Sequence, residues 1–441
     1  MQLLRSQAQS VVCKIIWPTE SKEFRRQYSS LTLNLVQCRH PTAAAAFLST
    51  MSSRRSRHLD KKMKLTTANT SSLSIADTAL GKGSEAAALL DGLEVYTVPS
   101  LADRHPLTVY GIKPENTQHS VPNGTSINLT NWRRPILLLH GRTWSSVPVY
   151  HLLGGPNRRE KGEESRSLMD ALFHTQNLQP YCMDFRGFGG TPADETCKVT
   201  PHTCVADVES VLQWISSQHG LHWLPEEDCS YDSECDHDEG KVVKRKTCEK
   251  CEMPVLLGWS QGALIAQLVA QKDPALLSQL ILYGSIYDPL VRYPRAPLYA
   301  QTSELDRNSR NEGVQNTYDA AIEDFTIEGS IPKDPAKQFA RAALLCDPIK
   351  VRWSSLHELN NVDPARVHVP TLVIAGDQDP YCPLRAQQEL FCNLGRGADR
   401  CWSILSGSDH AIHLLDARAR FVQIVENFTV IGRRNKIGSS V

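Results

Sequence analysis

The sequence predicts an α/β fold, a mostly parallel sheet with helices on both faces, and three stretches carry that reading. Met253-Pro254-Val255-Leu256-Leu257 is an apolar run that enters Gly258-Trp259-Ser260-Gln261-Gly262, and helix-forming Ala263, Leu264, Ile265, Ala266 and Gln267 come directly after. That is a buried strand, a tight turn and a helix in succession. Pro135-Ile136-Leu137-Leu138-Leu139 is continuously apolar, as a central strand covered on both faces is. His202 to Gln218 places Val205, Val208, Val211, Leu212 and Ile215 at helical spacing, which suits a crossover helix between parallel strands.

Length and charge set the outer bounds. The chain has 441 residues, enough for one large α/β domain with additions or for two or three ordinary domains. Lys and Arg number 48 against 48 Asp and Glu, so no global charge excess points to nucleic acid or an anionic membrane surface. No apolar run approaches the ~18 residues of a membrane span. The thirteen cysteines are scattered and odd in number, which reads as mainly reduced thiols of an intracellular compartment.

Residues 1–64 differ in composition from the rest of the chain. Arg5, Arg25, Arg26, Arg39, Arg54, Arg55 and Arg57 stand among many Ser and Thr, and Glu20, Glu23 and Asp60 are the only acids. Arg-rich, Ser-rich and acid-poor is the composition of an organelle transit peptide, which implies a mitochondrial or plastid destination. The alternative is a leader wrongly joined to the gene, with Met51 or Met63 as the start and a cytoplasmic protein as the result. On either reading residues 1–64 are a disordered leader outside the fold, and residues 65–91, rich in Ser, Thr, Ala and Gly, are a linker.

The core is read from residue 92. Leu93–Val98 and Leu107–Ile112 alternate apolar and polar residues and are expected as two edge strands, antiparallel, with Asp103 and His105 in their loop. The central strand Pro135–Leu139 ends in His140-Gly141-Arg142. Here the chain resembles the α/β-hydrolase superfamily, whose members carry an H-G turn after this strand. The resemblance implies that the backbone N–H of Arg142 belongs to an oxyanion hole. The Arg142 side chain either pairs structurally or reaches the pocket to meet an anionic substrate. Asp184-Phe185-Arg186-Gly187-Phe188-Gly189-Gly190-Thr191 stands after the next strand in the same family pattern. Asp184 and Arg186 are expected to tie that loop down by hydrogen bonds.

Two segments interrupt the core. Residues 226–252, between the crossover helix and the strand before Ser260, are acidic in their first half and basic in their second. Cys229, Cys235, Cys248 and Cys251, with His237 nearby, form a C-x5-C…C-x2-C arrangement open to structural zinc. The other reading is a solvated insertion with free thiols. Residues 287–362 contain Pro289, Pro294 and Pro297, with helical patterns around Tyr318–Phe325 and Ala336–Leu345. The resemblance implies a helical cap here. Tyr287, Tyr293, Tyr299, Phe325, Phe339 and Trp353 either line its pocket or form its own core.

The sheet resumes at Val369–Ala375 and closes in Gly376-Asp377-Gln378-Asp379. A family triad acid matches Asp379, with Asp377 as the rival assigned to the turn. After helix Pro383–Asn393 and strand Arg400–Leu405, the loop Ser406–Ala411 carries His410 where the family keeps its histidine, and Asp409 stands where a glycine is common. His413 is expected inside the closing helix. The core halves are thus residues 92–286 and 363–430, with residues 431–441 a tail. The resemblance implies eight strands in all, a mostly parallel eight-stranded sheet with helices on both faces plus the helical cap.

Ser260, Asp379 and His410 occur in the chain order known for this fold. A serine hydroxyl is a weak nucleophile near neutral pH, so a histidine must take its proton during attack and a carboxylate must orient that histidine. The N–H groups of Arg142 and Gln261, the latter at a helix N-terminus, are the expected oxyanion donors. The implied activity is hydrolysis of an ester, thioester or amide of a small molecule through an acyl-serine, with no cofactor and no catalytic metal. An acyltransferase on the same scaffold and a ligand receptor with a hydrolase-like pocket are the alternatives. A serine in this place argues against epoxide hydrolase and haloalkane dehalogenase chemistry, which needs a carboxylate there.

Overall fold

The computed structural model describes residues 84–113, 133–153, 165–175, 177–220, 253–294 and 314–434. The leader 1–64 and the insertion 226–252, with Cys229, Cys235, His237, Cys248 and Cys251, lie outside the described residues, as does Tyr299.

The described residues form one eight-stranded sheet. Its strands are β1 (Leu93–Pro99), β2 (Pro106–Ile112), β3 (Arg134–Leu139), β4 (Leu178–Met183), β5 (Val255–Trp259), β6 (Gln279–Tyr283), β7 (Thr371–Gly376) and β8 (Arg400–Leu405). They run in the order β1-β2-β4-β3-β5-β6-β7-β8. From β4 to β8 every pairing is parallel, while β2 meets both β1 and β4 antiparallel. The expected pair of edge strands is therefore corrected. Of this pair only β1 is an edge, since β2 lies between β1 and β4, and apolar clusters cover both its faces, which is why Leu107, Val109 and Tyr110 are fully buried and its alternation is not reflected in burial.

Helices α1 (Ser84–Leu89), α2 (Ser146–Tyr150), α3 (Leu168–His174), α4 (Pro201–Gln218), α5 (Gln261–Lys272), α6 (Tyr318–Ile322), α7 (Lys333–Cys346), α8 (Leu384–Asn393) and α9 (Arg418–Arg434) complete the described secondary structure. Helix α1 lies in the stretch read as linker. Its sequence SEAAAL has high helix propensity, and Leu90 just beyond it is 1% exposed in the core. Ser167 caps α3 through the Asp170 N–H, and Thr200 caps α4 through the Thr203 N–H; each such cap is worth about 1 kcal/mol. Two apolar clusters fill the space on the sheet's two faces, one holding Ile136, Leu138, Val255 and Leu257, the other Leu137, Leu139, Leu256 and Leu282. The alternation of neighbours between clusters is the two-residue period of a strand buried on both faces. No helix among the described residues is long and apolar enough to cross a membrane.

Between β6 and β7, α6 and α7 pack on each other and α7 packs on α2. Phe339 is buried edge-on to Trp144 and Phe325, and these rings join the apolar cluster that also holds Ile136 and Leu138. Asp347 fastens the end of α7 to the sheet side, its carboxylate accepting the N–H of Ser145 at 2.7 Å and of Gly189 at 3.0 Å. Burial pushes the Asp347 carboxyl up to about 7.

Candidate active site

Strand β5 delivers Ser260 to a turn that ordinary residues avoid. Ser260 has φ 58 and ψ −122, one of the few non-glycine residues with positive φ among those described. Holding a serine there costs of order 1–3 kcal/mol and persists only where the surroundings force it. The surroundings are two glycines. A Cβ on Gly258 would lie 2.4 Å from the Gly262 carbonyl oxygen, and one on Gly262 would lie 2.4 Å from the His140 carbonyl oxygen. Gly258 thus lets strand and helix cross closely, while Gly262 lets α5 approach the end of the neighbouring strand β3. The strand runs two residues further than its apolar stretch suggests, through Gly258 and Trp259 up to the serine itself.

The H-G turn after β3 lies against this serine. A Cβ on Gly141 would stand 3.2 Å from the Ser260 Cβ and 3.6 Å from its Oγ. His140 is fully buried, and its Nε2 accepts the Phe185 N–H at 3.1 Å. Its proton therefore sits on Nδ1, which donates to the Gly141 carbonyl at 2.9 Å. Burial drives the His140 pKa down to about 3, so this histidine is a neutral brace of the turn. Arg142 is next in the chain, and its backbone carbonyl accepts the Trp353 indole N–H at 3.0 Å. Gln261, at the first position of α5, is buried at the positive end of that helix.

Asp379 and His410 meet at the ends of β7 and β8. The distance from His410 Nδ1 to Asp379 Oδ2 is 2.8 Å. The other carboxylate oxygen of Asp379 accepts the N–H groups of Tyr381 at 2.9 Å and Cys382 at 3.1 Å. The carboxylate is thus fixed on one side and aimed at the imidazole on the other. Burial pulls the His410 pKa down, but the charge and hydrogen bond of Asp379, aided by Asp324 and Asp409, outweigh it and hold the ring above its ordinary value. The His410 backbone carbonyl accepts the Trp259 indole N–H at 2.8 Å and the Tyr283 hydroxyl at 2.9 Å. The residue before the serine therefore positions the loop of the histidine directly.

The rival residues have other duties. Asp377 accepts the Ser406 hydroxyl at 2.9 Å and the Gly407 N–H at 2.8 Å, closing the turn between β7 and the loop after β8. His413 is fully buried among Tyr150, Trp259, Tyr283 and Phe421. Its Nδ1 lies 3.1 Å from the Tyr283 hydroxyl, and burial drives its pKa down to about 3. It sits in a short turn, Ile412–Leu414, rather than in the closing helix, which begins only at Arg418. The Asp184 loop is tied down as its residue types suggest. Asp184 accepts the Ser146 and Gly190 N–H groups and the Tyr110 hydroxyl. Arg186 makes paired hydrogen bonds to both Asp103 and Asp207.

Some residues at the site gave no signal in the sequence. Asp324, between α6 and α7, accepts the Trp144 indole N–H at 2.6 Å. Burial pushes its carboxyl up to about 6, against the lowering effects of that hydrogen bond and of His410. Tyr381 stands edge-on to His410, ring centroids 5.0 Å apart. Cys382 is buried with its Sγ 2.9 Å from the Gly284 carbonyl oxygen. A lone Asp, Tyr or Cys outside any motif is visible only once the chain is folded.

The family that the chain matches agrees with this architecture. A family model described as the alpha/beta hydrolase family matches residues 136–424, from β3 into α9. Among curated proteins, the biotin biosynthesis bifunctional protein BioHC of Cellvibrio japonicus is 26% identical over 263 residues, covering 57% of this chain and 43% of that protein. The chain thus spans less than half the length of that relative. Among solved structures, the esterase EaEST from Exiguobacterium antarcticum is 16% identical with a TM-score of 0.42, over 75% of this chain and 98% of that one. Naproxen esterase from Bacillus subtilis is 14% identical with a TM-score of 0.46, over 78% and 94%. The strand order, the positive-φ serine after β5 and a family match over well over half its length lead to one conclusion: this chain belongs to the alpha/beta hydrolase family.

Proposed function

We propose that the protein is a serine hydrolase acting on a small-molecule ester, with Ser260 as nucleophile, His410 as general base and Asp379 as its orienting acid. The observation that carries this is the Asp379 carboxylate, anchored by two backbone N–H groups and bonded to His410 Nδ1 at 2.8 Å. That bond keeps the ring proton on Nδ1 and leaves the Nε2 lone pair free to take a proton. In the proposed reaction His410 removes the Ser260 proton as Oγ attacks the carbonyl carbon. The N–H groups of Gln261 and Arg142 receive the negative charge of the tetrahedral intermediate. His410 then protonates the leaving alcohol, and the acyl-serine is hydrolysed by a water that the same histidine deprotonates.

The segment between β6 and β7 is assigned the role of a cap over the site. Asp324 and Asp409 support this, since both carboxylates influence His410 and both bridge that segment to the core. Thioester or amide cleavage and acyl transfer use the same residues and differ in the leaving group or acceptor. The test is turnover of chromogenic acyl esters of graded chain length by the full chain and by Ser260→Ala. Turnover by the full chain that the substitution removes is the expected result. Tight binding of esters with a single slow acylation and no turnover would instead favour a ligand receptor on this scaffold.

A further inference from the structure

We infer that Asp379, Cys382 and His410 form a binding site for a thiophilic divalent cation such as zinc, and that an ion bound there switches the hydrolase off. The inhibitory consequence rests on the serine-hydrolase reading; the binding site itself does not.

The donor atoms are already gathered. Asp379 Oδ2, Cys382 Sγ and His410 Nδ1 all lie within 4.8 Å of one another. The sulfur is 3.7 Å from Nδ1, and Nδ1 is 2.8 Å from Oδ2. A tetrahedral zinc with bonds of about 2.3 Å to sulfur and about 2.0 Å to nitrogen and oxygen sets S and N roughly 3.5 Å apart and N and O roughly 3.3 Å apart. The sulfur and nitrogen therefore stand nearly at ligand spacing, and the N–O pair must open by only about half an ångström. Carboxylate, thiolate and imidazole are together a donor set that favours zinc over magnesium or calcium.

The surroundings suit an ion as well. Gly284 borders the cluster without a side chain; a Cβ there would come within 3.2 Å of Nδ1 and 3.5 Å of Asp379 Oδ2. Its carbonyl oxygen, 2.9 Å from the sulfur, is a further oxygen beside the site. The three residues Asp379, Cys382 and His410 are 6%, 1% and 7% exposed, so charge balance matters. One carboxylate and one thiolate neutralise a dication, which removes the main cost of burying it. The proposed acyl transfer makes no use of the Cys382 thiol.

Binding has a definite proton balance. The thiol releases its proton to solvent as the S–metal bond forms. The imidazole gives up its proton at Nδ1 to the metal's arrival and takes one at Nε2, so the ring stays neutral and one proton is released in all. An imidazole protonated on Nε2 has no lone pair to accept the Ser260 proton. The nucleophile then stays a hydroxyl, and acylation stops without any blockage of the substrate pocket.

The experiment uses the full chain, freed of metal with a chelator. The rate at which a fluorophosphonate labels Ser260 is measured as zinc is added, for the wild type and for Cys382→Ser, which keeps a hydroxyl donor toward the Gly284 carbonyl but removes the thiolate. Cys382→Ala takes its place if the serine variant does not fold. Zinc should slow wild-type labelling, chelator should restore it, and the variant should need at least about 10-fold more zinc, since loss of a ligand weakens a site at least as much as loss of an outer-shell partner. Cadmium added to Ser260→Ala should produce a thiolate charge-transfer band that is smaller in Ser260→Ala with Cys382→Ser. Labelling that ignores zinc, or zinc sensitivity equal in both proteins, overturns the site. Absence of labelling in metal-free protein, with the cadmium difference intact, overturns the hydrolase reading and leaves the ion site standing.

Discussion

The Asp409 carboxylate, one residue before His410, accepts the Thr326 backbone N–H at 2.9 Å and the Thr326 hydroxyl at 3.1 Å. The same oxygen receives the Ile327 N–H at 3.3 Å, and the other accepts the Ala411 N–H at 3.1 Å. One fully buried side chain therefore fastens the segment between β6 and β7 to the loop that holds the histidine. Replacing Asp409 by Ala strands the buried Ala411 N–H and removes the acceptor of the Thr326 and Ile327 donors, and a loss of about 1–3 kcal/mol is expected. Urea unfolding reads that loss, and ester kinetics should show a raised KM with kcat falling less. Wild-type stability and wild-type KM together would show that Asp409 is no such clasp.

The two acids of the G-D-x-D turn should separate cleanly. Asp379→Asn should leave a folded protein with turnover down by roughly 10⁴, by analogy with the protease triad, because the amide no longer fixes the histidine tautomer. Asp377→Asn should weaken the turn to Ser406 and Gly407 while turnover stays within a few-fold, since surface changes of this kind usually cost little. Circular dichroism melting and ester turnover on both variants decide it. A reversal of the two phenotypes would move the acid to Asp377.

Much of this site is legible in the unfolded chain, and the reason is local. Ser260 follows directly on the apolar run of β5, so the change in polarity marks it, whereas Asp379, three residues past β7, and His410, five residues past the partly polar β8, are legible through the family resemblance. Asp377 is likewise legible as a turn residue. Features that depend on contacts between distant segments are not. Asp409 reads as a departure from glycine, and its partner Thr326 lies 83 residues away. Asp324 and Cys382 sit in no motif, and β2 reads as an edge because its cover, β4, arrives about seventy residues later in the chain. His413 is expected within a helix because Leu414, Phe421 and Ile424 keep helical spacing, yet the helix starts at Arg418.

The acid limb of the pH profile should carry the sign of the His410 shift. Its pKa is raised, so the ring stays protonated, and unable to act as a base, to a higher pH than a free histidine. The apparent kcat/KM should therefore rise with pH through a midpoint above about 6.5. Asp324 contributes to the raising, so Asp324→Asn should move that midpoint to lower pH, even though the same substitution alters the bond to Trp144. A midpoint that is unmoved, or moved upward, would show that Asp324 does not act on the histidine.

Covalent labelling tests most directly whether Ser260 is the nucleophile. The full chain is treated with a fluorophosphonate and the modified residue is located by peptide mapping. One adduct is expected, on Ser260 between Gly258 and Gly262, absent in Ser260→Ala and lost together with ester turnover. An adduct on another residue, or turnover that survives Ser260→Ala, would contradict the assignment.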